Sequence, residues 1–133
     1  MPRIRVASSI AQVYTRPMAD RSQLFDDIDS MEPERFSAHL ADDVTMRFGN
    51  AEPVQGRAAV HDVWAGFCDG IDGVSHAPRA RWESDEGTVV EADVTYTRKD
   101  GGTVTVPVVT IYRSSGELID DYRVFIDLAP LFA

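Results

Sequence analysis

Residues 40–60 read LADDVTMRFGNAEPVQGRAAV, and this stretch decides the fold. A helix end gives way to a short β-rich segment at residues 44–48; Gly49, Asn50 and Pro53 break it, and Gly56 opens a new helix. Upstream, Leu24, Phe25 and Ile28 fall at helical spacing, and Ser30 is placed to cap a second helix whose first turn tolerates Pro33 and carries Glu32 and Glu34. Phe36 and Leu40 mark the inner face of that helix. Downstream, Val60, Val63, Trp64 and Phe67 predict the buried stripe of a third. After Gly73 the apolar period changes to two, with strands expected at residues 74–83, 88–98, 103–113 and 118–127. The connections at residues 84–87, 99–102 and 114–117 hold the Gly and Asp that tight hairpins need. Helices first and strands last predict an α+β fold with an antiparallel sheet.

The 133 residues carry 13 basic and 22 acidic side chains, a formal charge of −9. That balance disfavours phosphate backbones and anionic membranes, so neither nucleic acid nor a membrane surface is an expected partner. The charge is uneven: Arg3, Arg5 and Arg16 give residues 1–19 about +3 against about −12 for the rest. Residues 1–19 therefore read as an N-terminal arm, and residues 20–133 as one domain. The arm lacks the apolar run of a secretory signal, and Ile4, Val6 and Ile10 suit packing on a partner subunit as well as disorder. No run approaches the roughly 20 apolar residues of a membrane span, and the cytoplasm is the default expectation. Cys68, the single cysteine, excludes an intrachain disulfide. Cys and His fall in no metal-ligand spacing, and neither a phosphate-cradling glycine loop nor a serine nucleophile elbow is present, so no metal or cofactor is expected.

The segments running from Phe48-Gly49-Asn50 to Gly56-Arg57 and from Tyr122-Arg123 to Asp127-Leu128 resemble the nuclear transport factor 2-like superfamily, which includes ketosteroid isomerases, limonene epoxide hydrolases and SnoaL-like polyketide cyclases. The resemblance runs from about Leu24 to the C-terminus. It implies a cone-shaped twisted sheet wrapped around about three N-terminal helices, with a concave site for a small apolar ligand. Phe48, Asn50, Asp93, Thr95 and Val124 stand where the epoxide hydrolases place a Tyr, an Asn, an Arg and two Asp; only Asn50 is retained. The base and the two donors of the ketosteroid isomerases fall on Phe48, Leu24 and Val109, and no acid lies between Asp43 and Glu52. Neither mechanism transfers, because a general base must be ionisable and in reach of its proton.

The same alignment aims Asp93 into the cone beside Thr95, where desolvation would raise its pKa and make it a base; the alternative is an ion pair with Arg79, Arg81 or Arg98. His76 and Trp82, six residues apart on one strand, are expected on one face, with His76 either catalytic or a satisfied rim histidine. Alternation puts Tyr122 beside Val124 in the pocket, and Phe48, Trp64 and Trp82 either line it or belong to ordinary core. His39 and His61 fall on predicted helices without suitable neighbours, while Asp26, Asp27, Asp29, Asp42 and Asp43 read as solvated charge. On the outer face, Phe125 among Arg79, Arg81 and Arg123 suits a homodimer. The expected function is binding of a small, mostly apolar molecule contacted by Asn50, Asp93, His76 and Tyr122. Two versions stay open: a cofactor-free isomerase, cyclase or hydrolase, and a binding or dimerisation module without chemistry.

Overall fold

The computed structural model describes residues 21–133, so the arm expected at residues 1–19 lies outside them. Two short helices, α1 (Leu24–Asp29) and α2 (Pro33–Ser37), lead into strands β1 (Leu40–Phe48) and β2 (Val54–Gln55) and helix α3 (Arg57–Asp69). Four long strands follow, β3 (Ile71–Ser84), β4 (Gly87–Arg98), β5 (Thr103–Ser115) and β6 (Leu118–Ile126), and a 3-10 turn at Ala129–Phe132 closes the chain. The strands form one twisted sheet in the order β2-β1-β6-β5-β4-β3, curled around the helices without closing into a barrel. The α+β cone read from the sequence is the architecture present. Strands β3 to β6 form the antiparallel meander, and β1 joins it in parallel beside β6, through Phe48↔Val124 and Met46↔Tyr122. No helix among the described residues is long and apolar enough to cross a membrane.

Local chemistry explains the element ends. Gly56 precedes α3 at φ 95°, a left-handed value that suits glycine, and its N–H bonds Val44 O at 2.7 Å. Gly87 closes the β3–β4 hairpin at φ 153°, where a Cβ would fall 2.9 Å from Tyr112 O. Ser30 does not cap α2 as expected. Its hydroxyl donates to Asp27 O at 2.6 Å and accepts the Glu32 N–H at 3.1 Å, and Glu32 holds the N-cap position without a side-chain capping bond. The buried stripe of α3 is Val60, Trp64 and Cys68, four residues apart, while Val63 is 44% exposed because each residue turns about 100° round the axis.

The sheet has two chemically different faces. Against the helices lie Phe48, Tyr122 and Val124, then Val108, Thr110 and Tyr112 of β5, and Val90, Ala92, Val94 and Tyr96 of β4. Register fixes the rows: Phe48↔Val124↔Thr110↔Val90 run across four strands. Because side chains alternate, Asp93, Thr95, Val109 and Phe125 face outward.

A bulge in the middle of β3 reverses that alternation. Pro78 pairs with Ala92, but the next pair is Ala80↔Glu91, so Arg79 is an extra, bulged residue. Before the bulge His76 shares a row with the inward Val94; after it Arg81 pairs with the inward Val90 and Trp82 turns outward. His76 and Trp82 therefore lie on opposite faces, contrary to the unbroken strand assumed from sequence. Strand β3 is the sheet edge, where Pro78 is tolerated.

A polar clamp joins the short helices to β1. Asp27 accepts from Arg35 Nη2 at 2.8 Å and meets His39 Nε2 at 2.7 Å, and Arg21 Nη1 lies 3.1 Å from His39 Nδ1. His39 stands in the turn before β1 rather than on a helix, and Asp27 is no solvated charge.

Two predictions follow from this arrangement. Val94→Ala should cost about 2 kcal/mol, the transfer energy of two buried methyls, whereas Asp93→Ala should cost under about 1 kcal/mol as an exposed ion pair; urea denaturation would measure both. His39, then burial in the opposing sense and Arg35, leave the Asp27 pKa below its ordinary value. A lowered folded pKa adds stability above the unfolded pKa near 3.8 that is lost as pH falls through the folded value. Asp27→Asn should therefore lie below wild type at neutral pH and approach it as pH falls below the ordinary value near 3.8, checked by thermal melts across that range.

Candidate functional site

Ionisable groups are rare on the helix-covered face, and one pair dominates it. His76 of β3 sits with Nδ1 2.6 Å from Asp29 Oδ1, and the other carboxylate oxygen accepts the His76 backbone N–H at 2.8 Å. Asp29 is the last residue of α1, so the contact closes 47 residues of chain. The Phe25 ring, from the same helix, packs 5.0 Å from the imidazole. The histidine side chain is 9% exposed and the carboxylate 21%. With Asp29 ionised, the imidazole proton is held at Nδ1 and Nε2 is left as the basic nitrogen. A base oriented by a carboxylate is the arrangement that proton transfer requires.

Aromatic side chains line the rest of this face. Tyr96 and Tyr122 are both buried, and burial pushes both phenols above their usual range; the Asp29 charge raises each further, and Tyr112 and Tyr96 add to the effect on Tyr122. The Thr110 hydroxyl pulls Tyr122 weakly the other way. Both phenols therefore stay protonated near neutral pH and act as donors. Phe36 stands edge-on to Trp64 at 6.1 Å and to Tyr122 at 5.2 Å; Trp64 stacks on Phe67 at 5.4 Å, and Phe67 meets Phe48 at 5.4 Å and Tyr96 at 5.6 Å. Trp64 Nε1 is buried without a hydrogen-bond partner among the described residues. Such an orphaned donor costs about 1–3 kcal/mol, which calls for a physical reason.

Phe48, Tyr122, Val124 and His76 lie on the helix-covered face of the sheet, and Trp64 faces it from α3. Five other expected pocket residues do not. Asp93 faces outward and takes Arg79 Nη1 at 2.6 Å, one of the ion pairs weighed as its alternative, so it is neither desolvated nor beside His76. Thr95 shares its face and bonds Thr105 across the strands at 2.8 Å. Trp82 is 53% exposed beyond the Arg79 bulge, and Val109 faces outward beside Phe125. The reason is common to Asp93, Thr95 and Val109: a one-residue shift of alignment exchanges the faces of a strand. Asn50 is exposed in the turn after β1.

Other polar groups are committed elsewhere. Arg81 reaches Tyr112 Oη at 3.2 Å and Glu83 at 2.6 Å, and His61 lies 3.1 Å from Glu34 and 3.0 Å from Asp62 at the surface. Those two carboxylates raise the His61 pKa, Asp62 the more. Burial pushes the Cys68 thiol up to about 11, so it is no nucleophile. No cluster of three or more His, Cys, Asp or Glu suited to a metal occurs among the described residues. An open groove of about 470 Å³ crosses the end of the sheet where β6 stops and β5 runs on, between Val106, Val108, Val109, Phe125, Ile126 and Pro130. Its carboxylate, Asp127, caps the Ala129 N–H at 3.0 Å, so the groove is apolar rather than chemical.

Comparison with known proteins agrees with this geometry at the level of the fold. The model of the SnoaL-like domain matches residues 22–122. A hypothetical protein with a ketosteroid isomerase-like fold from Catenulispora acidiphila DSM 44928, in complex with trimethylamine, is 17% identical over 85% of this chain and 89% of its own, with a TM-score of 0.76. A SnoaL-like polyketide cyclase, so described, from Jannaschia sp. CCS1 is 18% identical over 83% and 84%, with a TM-score of 0.72. TerC co-crystallised with polyporic acid is 17% identical over 81% and 88%, with a TM-score of 0.71. No curated protein matches. A helix-covered cone, a family model spanning most of the chain and these structural likenesses lead to one statement: the chain belongs to the SnoaL-like domain family.

Proposed function

We propose that this protein binds a small, mostly apolar molecule against the concave face of its sheet and moves a proton on it with His76. The observation that carries the reading is the two-point hold of Asp29 on His76, at 2.6 Å to the ring and 2.8 Å to the backbone. A carboxylate satisfied by a ring N–H and a backbone N–H keeps the imidazole in one orientation and stabilises the imidazolium that forms when Nε2 takes a proton. The protonated phenols of Tyr96 and Tyr122 are suited to steadying an oxygen that gains charge as that proton leaves. Proton abstraction next to a carbonyl, followed by return of the proton elsewhere or by ring closure, is the chemistry such a set supports. The cofactor-free isomerase and cyclase versions therefore stand ahead of the hydrolase. That related structures are described with trimethylamine and with polyporic acid supports a small-molecule ligand here.

A second reading concerns the outer face. Phe125 and Trp82 are 54% and 53% exposed there, and the row Trp82↔Val89↔Ile111 with the adjacent Val109↔Phe125 makes one apolar band. Two such bands placed back to back would form a homodimer around a two-fold axis, with Arg79 and Arg123 at its rim.

Each reading has its own test. In heavy water with a panel of enolisable aromatic ketones, wild type should exchange α-protons, and His76→Gln and Asp29→Asn should slow that exchange by about a hundredfold, as loss of a general base does. NMR of the ketones measures it, and an unaltered rate in His76→Gln would refute the proton-transfer role. For the outer face, light scattering should give twice the 14.7 kDa chain mass, reverting to a single chain in Phe125→Asp. Wild type at 14.7 kDa at micromolar concentration would exclude the dimer.

A further inference from the structure

Trp64 lies on the inner face of α3, is 8% exposed, and its Nε1 has no hydrogen-bond partner among the described residues. Every ring around it is carbon-faced in the direction of contact: Phe67 stacks on it and Phe36 meets it edge-on. An indole has one donor and no acceptor, so nothing within the side chain can redirect the N–H. The neighbouring α3 positions on this stripe, Val60 and Cys68, offer no strong acceptor either. A buried tryptophan of purely structural role normally finds a partner for its N–H.

We propose that Trp64 Nε1 is the donor of a ligand subsite and that it receives an uncharged oxygen acceptor, such as the carbonyl of an aromatic ketone or ester. Three observations limit the class. The rings of Phe36, Phe48 and Phe67 make the surroundings apolar and flat-sided, which suits a planar hydrocarbon frame. The buried residues among those described include no lysine or arginine, and Arg81, which turns to this face at Tyr112, is already paired with Glu83, so a carboxylate or phosphate would enter without a free counter-charge. The Asp29 carboxylate acts on Tyr96 and Tyr122 across the same face, and it would repel an anion there. A neutral carbonyl satisfies the orphaned donor without either cost. This subsite rests on the reading of the concave face as the ligand site, but it does not require that His76 move a proton.

The chain has two tryptophans, so Trp82→Phe assigns the two indole N–H signals in isotope-labelled protein. The probes are acetylnaphthalene and its oxygen-free counterpart ethylnaphthalene. Acetylnaphthalene should move the Trp64 indole proton downfield, and ethylnaphthalene should bind without that shift. Trp64→Phe keeps a ring and removes the donor; it should weaken acetylnaphthalene about tenfold, about 1.4 kcal/mol, and ethylnaphthalene by less than about twofold. The indole shift should persist in His76→Gln, so loss of proton exchange with retention of the shift would condemn the catalytic reading and leave the subsite standing. The subsite is overturned if acetylnaphthalene leaves the indole proton unmoved at millimolar concentration, if Trp64→Phe weakens both probes equally, or if neither probe binds. Contact of that proton with water that acetylnaphthalene does not displace overturns it too.

Discussion

The period of two along β3 to β6 is the constraint on which the rest of this molecule depends. It sorts Val90, Ala92, Val94 and Tyr96 to the helices and Glu91, Asp93 and Thr95 to the other side, so that one strand builds core and surface at once. Rows across the strands then gather Phe48, Val124 and Thr110 although they are far apart in the chain. The small Ala92 lies in the middle of this face, 1% exposed among larger neighbours. The bulge at Arg79 reverses the face in the middle of β3, as a second register shift between Ile71 and Gly73 does at its start, and it sits on the sheet edge, where an unpaired residue disturbs a single ladder. Below it His76 enters the cone; above it Arg81 turns toward Tyr112.

Helix α1 is six residues long and could not persist alone. Its stability comes from Leu24 and Ile28 in the core and from what its acidic end does. Asp27 and Asp29 lie two residues apart and so point in different directions, one toward His39 and Arg35, the other toward His76. One pair ties the helix to α2 and the start of β1, while the other reaches across to the far edge of the sheet. The two aspartate–histidine contacts look alike in distance, at 2.7 and 2.6 Å. They differ in setting: the first is completed by Arg35, whereas the second borders a wall of aromatic rings and two protonated phenols.

Much of the framework was legible because it is local. Turn residues at 84–87, 99–102 and 114–117, the apolar spacing in α3 and the change of period after Gly73 all report on neighbours within a few positions. Helical spacing likewise assigns Trp64 to the inner stripe of α3, and alternation sets Tyr122 on the same side as Val124, whereas Phe48 and Val124 themselves are placed by the family alignment. The facing of Asp93, Thr95 and Val109 is not legible from that alignment, in which a shift of one residue is invisible and inverts the answer. Trp82 was misplaced by the bulge, although Pro78 within an otherwise regular strand was the available sign of one. Asp29 reads as surface charge in sequence, since nothing in LFDDIDS distinguishes the acid that turns inward from those that do not.

By itself, then, the chain determined its element order, its α+β class and which stretches alternate, since these arise from torsional preference and from side-chain spacing along a few residues. Tertiary structure alone decided which acid meets which histidine. A pair formed across 47 residues depends on sheet register, on one bulged residue and on where a short helix lands, and none of these is a property of the residues taken in sequence.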